Sequence, residues 1–427
     1  MGRLCANFDA FIESTVVDLG WRAFERAGRA LWSVRHEYSS TNRRCGQRLS
    51  KWCVGSMNSD INSGALYASR LARVRKEMQQ LAIDAVLLSV GHDLPYLTGY
   101  YAMPLERLTM LVVTCDSMPT LIVPKLEAPR VTPHDDVFKI VAWGETENPV
   151  EIVAKHLGGA KRIAIGDQMW ARFLVELMGF VSGASFVRAV DVVGNLRIAK
   201  DANEIAALQV AGAAADRVAS QLQAGEISLV GRTEAQVSAD ISARLIAEGH
   251  DVVNFAIVAA GENAASPHHH PGSRVIKQNE IVLCDFGGTY NGYCSDITRC
   301  VFVGEPSRKV TSAYSVLRAA QAAGVAAGVV GATCESVDMA AREIIDDAGF
   351  GDFFIHRTGH GIGMEAHEEP YMVSGNKLPI AAGHAFSVEP GIYLPGKWGM
   401  RLEDIVVATD NGPLSMNNVD HSLVILN

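Results

Sequence analysis

Between Ile281 and Arg299 the chain reads IVLCDFGGTYNGYCSDITR, and two aspartates stand out in it, Asp285 and Asp296. Asn291-Gly292 between β-like flanks is the pattern of a type I′ hairpin turn, whose two central residues need positive φ. If those two form the turn, Tyr290 faces Tyr293 and Gly287 faces Asp296. Asp285, two residues before Gly287, then shares one face of the hairpin with Asp296 as a diagonal neighbour. A bulge would spoil this parity. Two carboxylates on one face repel unless something positive sits between them. Ile281 to Leu283 reads as a buried strand leading into Asp285, which favours a metal or catalytic pair over a solvated charged face.

A second string, HRTGHGIGMEAHEEP from His356 to Pro370, sets His360 between two glycines. Glycine permits close backbone approach and unusual dihedrals. His367 follows seven residues on. A third string, FSVEPGIYLPGKWGMRLED from Phe386 to Asp404, places Glu389 at the end of an apolar run and Glu403 in another. A carboxylate closing a buried strand must be paired or metal-bound. Glu403 and Asp404 are adjacent, so in a strand they point to opposite faces, and parity alone does not choose between them. A fourth string, SPHHHPG from Ser266 to Gly272, holds His268, His269 and His270. Neighbours in an extended chain alternate faces, so one or two of these face a site and the others are expected in solvent.

Asp285, Asp296, Glu389 and Glu403 supply four carboxylates and His360 one imidazole. Hard oxygen donors with one nitrogen suit Mn²⁺, Co²⁺, Fe²⁺ or Zn²⁺ and not a Cys-rich structural zinc site. Four negative charges balance two divalent cations. Such a pair lowers the pKa of a shared water and polarises a carbonyl, which is hydrolytic chemistry.

These residues need rigid elements to hold them. SRLARVRKEMQQLAI from Ser69 has apolar residues at helical spacing, followed by β-like runs at Ala85–Val90, Leu108–Val113 and Thr120–Val123. That alternation predicts a mixed α/β layer domain to about residue 197. Asp201 and Glu204 have capping-box spacing ahead of an apolar stripe from Ile205 to Leu222, which Gly225 ends. A helix is expected at Thr233–Glu248, β structure to about Val303, helices near 311–328 and 334–348, and strands with glycine-rich turns from Phe353.

The 427 residues suggest two or three domains, and 48% apolar residues suffice for a sizeable core. No apolar run approaches the length of a membrane span. The net charge of −9 argues against a general nucleic-acid binder. Residues 1–56 differ from the rest, with nine Lys+Arg against five Asp+Glu and three of the six tryptophans. They carry no apolar h-region of a secretory signal and too many acids for a transit peptide. They read as a small accessory element, or as sequence preceding a start at or near Met57. The eight cysteines form no CxxC pair, which suits reduced thiols and a cytoplasmic protein.

The four motif strings, in this order, resemble the pita-bread metallopeptidases, the group that holds methionine aminopeptidase, Xaa-Pro aminopeptidase and Xaa-Pro dipeptidase. The resemblance is strong over 198–427. Residues 61–197 resemble, more loosely, the creatinase-type N-terminal domain of the proline-specific branch, as in YLTGYY. It implies an α/β (α+β) chain: a creatinase-like mixed-sheet domain, then a pita-bread catalytic domain. It places five metal ligands on Asp285, Asp296, His360, Glu389 and Glu403, and so chooses Glu403 over Asp404. Asp296 and Glu403 would bridge two ions, Mn²⁺ or Co²⁺ ahead of Zn²⁺ or Fe²⁺, and Glu389 would also shuttle a proton. His268 would contact substrate, His367 would stabilise the developing oxyanion, and Arg401 would orient the site. Some prolidases place an arginine four residues after the His367 position to hold a dipeptide's carboxylate; here Tyr371 stands there. The implied activity is cleavage between an N-terminal residue and proline, by a homodimer. The alternatives are a metal-free creatinase-type amidinohydrolase, disfavoured by the intact ligand set, and a non-catalytic pita-bread binding module.

Overall fold

The computed structural model describes residues 63–427, so the reading of residues 1–56 lies outside the described residues. They divide into two compact units, with the border after Arg197.

The first unit is built on helix α1 (Ser63–Gln80), which starts earlier than the periodicity from Ser69 implied and buries Leu71, Val74 and Met78. Strands β1 (Ala85–Leu88), β2 (Met110–Thr114), β3 (Thr120–Pro124), β4 (Lys139–Trp143), β5 (Arg162–Ile165) and β6 (Ser185–Arg188) follow. Between them lie α2 (Asp93–Thr98), α3 (Pro149–His156) and α4 (Ala171–Phe180), and α5 (Gly194–Ile198) comes last. The strands form one sheet, ordered β4-β3-β2-β1-β5-β6. β1 pairs antiparallel with β2 and parallel with β5, so the sheet is mixed.

The second unit opens with α6 (Ala202–Gln223), whose capping box between Asp201 and Glu204 is formed on both sides. After α7 (Glu234–Ala247) come β7 (Val252–Ala260), β8 (Glu280–Tyr290), β9 (Tyr293–Cys294) and β10 (Ile297–Val303). Helices α8 (Arg308–Ala327) and α9 (Cys334–Asp347) lead to β11 (Gly359–Gly361), β12 (Glu368–Met372), β13 (Ala385–Val388), β14 (Gly391–Leu394) and β15 (Trp398–Arg401). The chain closes with β16 (Asp404–Thr409), β17 (Gly412–Ser415) and β18 (Val424–Leu426). One sheet is ordered β18-β10-β8-β7 with β9 beside β8, a second β12-β11-β13-β16-β17, and β14 pairs with β15.

Period-two alternation sorts the side chains of β8. Val282, Cys284 and Phe286 pack with Leu222, Val237 and Ile241 of α6 and α7. Ile281 and Leu283 pack on the other side with Leu317, Ala341 and Ile345 of α8 and α9. Burying one such aliphatic or aromatic side chain stabilises the fold by about 1.5–3 kcal/mol, so both faces of the strand are firmly held. Among the described residues no helix is long and apolar enough to cross a membrane.

Candidate active site

Asp285 continues the face of Ile281 and Leu283, and it is buried. The tight turn forms with Asn291 and Gly292 both at positive φ, and Tyr290 faces Tyr293. Ser295 N–H donates to Gly288 O at 2.8 Å, which carries the pairing across the gap between β9 and β10. Thr298 then lies opposite Asp285. The expected hairpin register is therefore kept, and Asp285 and Asp296 sit on one side. The irregularity in this sheet falls elsewhere, in β7 between Val253 and Phe255.

Glu403 meets this hairpin through an isolated bridge to Thr298, whose hydroxyl donates to Glu403 Oε2 at 2.7 Å. Carboxylate oxygens of Asp285, Asp296 and Glu403 lie within 4.8 Å of one another. The ligand atoms of His360, Glu389 and Glu403, imidazole nitrogen and carboxylate oxygens, lie within the same distance, as do those of Asp296, His360 and His367. The fold thus brings together residues from two sheets and more than a hundred positions of chain.

His360 is buried at the centre of β11. Its glycine neighbours serve close approach rather than unusual dihedrals, for neither has positive φ. A Cβ at Gly359 would run into the carbonyl oxygen of Ser387, and one at Gly361 into that of Glu369. Nδ1–H of His360 donates to Gly361 O at 3.1 Å. Nε2 stands 3.5 Å from Glu389 Oε1 and 3.8 Å from Asp296 Oδ2. Burial, then the charge of His367, pushes the His360 pKa down to about 3, so the ring is neutral and its Nε2 lone pair faces the carboxylates.

The carboxylates themselves are under strain. Burial first, and then the surrounding acids, raises Asp296 and Glu403 well above the usual carboxylate range. Burial lifts Glu389 to about 7 against the opposing pull of Arg401. Oδ1 of Asp285 and Oδ1 of Asp296 are buried with no hydrogen-bond partner among the described residues. Buried acceptors without donors are costly, and cations remove both that cost and the mutual repulsion. Four carboxylates and a neutral imidazole, with no thiolate among them, fit divalent Mn²⁺, Co²⁺, Fe²⁺ or Zn²⁺.

Arg401 is buried, and its Nη2 is tightly paired with Asp285 Oδ2. Its Nε donates to Thr298 Oγ1 at 3.2 Å and its Nη1 to the Tyr393 hydroxyl at 2.7 Å. His367 is exposed, with its ring 4.0 Å from the ring of His360. His268 is also exposed, in the loop after β7, and its charge reaches His367. His269 departs from the solvent position expected of it: its Nε2 lies 2.8 Å from Oε2 of Glu234, a fully buried carboxylate in the first turn of α7. Glu234 Oε1 also accepts from Ala260 N–H at 2.9 Å and Asn263 Nδ2 at 3.0 Å, so it ties down the histidine loop. Tyr371, where the resemblance would have put an arginine, carries the guanidinium of Arg357 over its ring, 4.1 Å from the centroid.

Three supporting residues lie outside the motif residues named from the sequence. Thr298 and Ser387 each stand two residues from a named acid, Asp296 or Glu389, so strand alternation was the available signal. Ser387 Oγ accepts from His360 N–H at 3.0 Å and donates to Glu389 Oε1 at 3.3 Å. Glu234 had no such signal, because its partners belong to a distant loop.

Residues 205–410 match Metallopeptidase family M24, and residues 70–199 match the Creatinase/Prolidase N-terminal domain. The chain is 42% identical over 366 residues to the probable dipeptidase PepE of Mycobacterium tuberculosis, covering 84% of this chain and 97% of the relative. It is 38% identical over 367 residues to an Xaa-Pro dipeptidase of Lactobacillus helveticus, covering 83% and 98%. Among solved structures, dipeptidase PepE from Mycobacterium ulcerans superposes with a TM-score of 0.81 at 45% identity, covering 85% of this chain and 98% of that one. A recombinant prolidase from Thermococcus sibiricus gives 0.80 at 35% identity, covering 84% and 99%.

Proposed function

Because this chain belongs to metallopeptidase family M24, with a creatinase/prolidase N-terminal domain ahead of its pita-bread domain, we propose that it hydrolyses the peptide bond between an N-terminal residue and proline. One observation carries the reading: the ligand atoms of Asp285, Asp296 and Glu403, and those of a neutral His360, Glu389 and Glu403, form two overlapping clusters that share Glu403, with Oδ1 of Asp285 and of Asp296 lacking any donor among the described residues. These five residues would hold two divalent ions, Mn²⁺ or Co²⁺ ahead of Zn²⁺ or Fe²⁺, which would supply Lewis-acid activation of water and of the scissile carbonyl.

The chain's own groups do the rest. Glu389 takes a proton from the attacking water and delivers it to the leaving proline nitrogen. His367 donates a hydrogen bond to the oxygen on which charge develops. His268, on the loop tied down by Glu234, contacts the substrate. Arg401 holds Asp285 in its orientation. We assign residues 61–197 to the creatinase-like domain and 198–427 to the catalytic domain, supported by the division after Arg197. The resemblance supports a homodimer. The five described cysteines are free and four of them buried, which supports a reducing, cytoplasmic setting.

The test is hydrolysis of Ala-Pro and Ala-Pro-Gly by chelated protein reloaded with Mn²⁺ or Co²⁺. Release of alanine from either supports the proposal, and no release from any Xaa-Pro peptide overturns it.

A further inference from the structure

His367 is exposed, yet one of its ring nitrogens lies within 4.8 Å of ligand atoms of both His360 and Asp296. An exposed side chain keeps such a place when the backbone that carries it is held. The turn between β11 and β12 is fastened on both sides of His367. On the leading side Cys294 N–H donates to Gly363 O at 2.8 Å, and Cys294 Sγ–H donates to Met364 O at 3.5 Å. Ala366 packs against the apolar cluster that holds Leu208, Ile362 and Ile405.

On the trailing side Glu368, the first residue of β12, pairs with Lys200 Nζ at 2.6 Å. Only 1% of the Lys200 side chain and 10% of the Glu368 side chain are exposed. Lys200 comes from the segment before α6, where its own N–H donates to Gly383 O at 2.9 Å and Ala199 bridges to His384. The pair fills the space beside Gly363: a Cβ there would come 2.6 Å from Glu368 Oε1 and 2.9 Å from Lys200 Cε. A buried ion pair is a weak source of stability, because desolvation of both charges offsets their attraction. It does fix position, for either charge left alone would be costly. The position it fixes is one peptide away from His367.

We propose that Lys200, acting through Glu368, is a positioning residue for His367: the buried pair holds the β11–β12 turn where the imidazole meets the oxygen on which charge develops. This rests on the Xaa-Pro peptidase reading above, in which His367 donates to that oxygen, and deepens it. Neither Lys200 nor Glu368 belongs to the clusters of potential metal ligands, so metal affinity and turnover should respond differently.

The experiment measures kcat and KM for Ala-Pro on the Mn²⁺-loaded full chain, with Mn²⁺ titration of the chelated proteins. The variants are Lys200→Met and the pair Lys200→Met with Glu368→Gln, each made in the parent and in His367→Ala. The pair variant leaves no lone buried charge and serves should Lys200→Met fold poorly. In the parent either change should lower kcat by about tenfold or more, as a displaced catalytic group does, with KM and Mn²⁺ affinity nearly unchanged. In His367→Ala the same changes should cost almost nothing further, since effects that run through one residue are not additive. An equal loss in both backgrounds overturns the proposal, and so does a loss of Mn²⁺ affinity in step with kcat, the mark of a general structural role. An unchanged kcat in the pair variant also overturns it; in all three cases the Xaa-Pro reading stands. Full activity of His367→Ala removes the role of His367 and this proposal with it. A parent that hydrolyses no Xaa-Pro peptide overturns the peptidase reading and the proposal together.

Discussion

Glu403 and Asp404 are neighbours in the chain and face opposite interiors. Glu403 accepts a hydrogen bond from Thr298 within the acid cluster, while Asp404 pairs with Arg299 at 2.7 Å and accepts from Gln321 Nε2 at 3.1 Å. Arg299 is fully buried, and its Nη1 also donates to Glu403 O at 2.6 Å. The guanidinium therefore anchors both the carboxylate behind the site and the backbone of the acid in front.

Arg299→Met should leave the Asp404 carboxylate buried without its main partner. Breaking a buried pair in this way costs about 3–5 kcal/mol. Arg299→Lys should recover little, because an ammonium cannot span the carbonyls and the carboxylate that the planar fork reaches. Urea denaturation of the three proteins measures the difference, and a loss under ~1 kcal/mol in the methionine variant would contradict the role.

Thr298→Val removes a hydroxyl that donates to Glu403 and accepts from Arg401, with little change of shape. Losing such support around a metal ligand lowers metal affinity or activity by about 10–100-fold. Titration with Mn²⁺ of the chelated variant and parent gives the affinities directly; equal values would count against the assignment.

Asp296→Asn should abolish the metal loading of the parent, since an amide neither carries the charge nor bridges as a carboxylate does. Activity should fall by about 10²-fold or more. Elemental analysis after dialysis provides the check, with circular dichroism to show that the fold persists. Full activity in this variant would refute Asp296 as a ligand.

Acid should weaken the fold through two histidines away from the metal ligands. Burial, and then the charge of Lys200, pushes His384 down to about 4, and its Nδ1 accepts from Ala381 N–H at 3.3 Å, a bond only the neutral ring makes. Burial, then Arg401, likewise pushes His356 down to about 4. In the unfolded chain both titrate near about 6.5. Their contribution is complete above that pH and is lost as the pH falls toward 4, because the unfolded chain then binds protons that the native state refuses. Denaturation midpoints should therefore drop between pH 7 and pH 4.5, and His384→Asn should flatten the slope. A slope unchanged in that variant would exclude His384 as a source.

Part of the site is legible in the amino-acid sequence alone. The Asn291-Gly292 turn sets the hairpin register, and the register sets Asp285 and Asp296 on one face, because side chains alternate with period two over a few residues of chain. The capping box at Asp201 and Glu204 is legible for the same reason, being a relation between residues three apart. Parity also requires Glu403 and Asp404 to part company, without saying which way.

The tertiary structure made the remaining decisions. It joined the β11–β13–β16 sheet to the β8–β10 hairpin and so sent Glu403 toward Thr298 and Asp404 toward Arg299. It drew His269 onto Glu234 across 35 positions of chain, against the expectation of solvent. It laid the guanidinium of Arg357 over the Tyr371 ring. The sequence by itself determined the chemistry available, four carboxylates and an imidazole on glycine-bounded strands, because residue type and local alternation are written in the chain. Which oxygens converge, and which charges remain unpaired beside them, was decided only by packing between distant segments, whose separation leaves no periodic trace in the sequence.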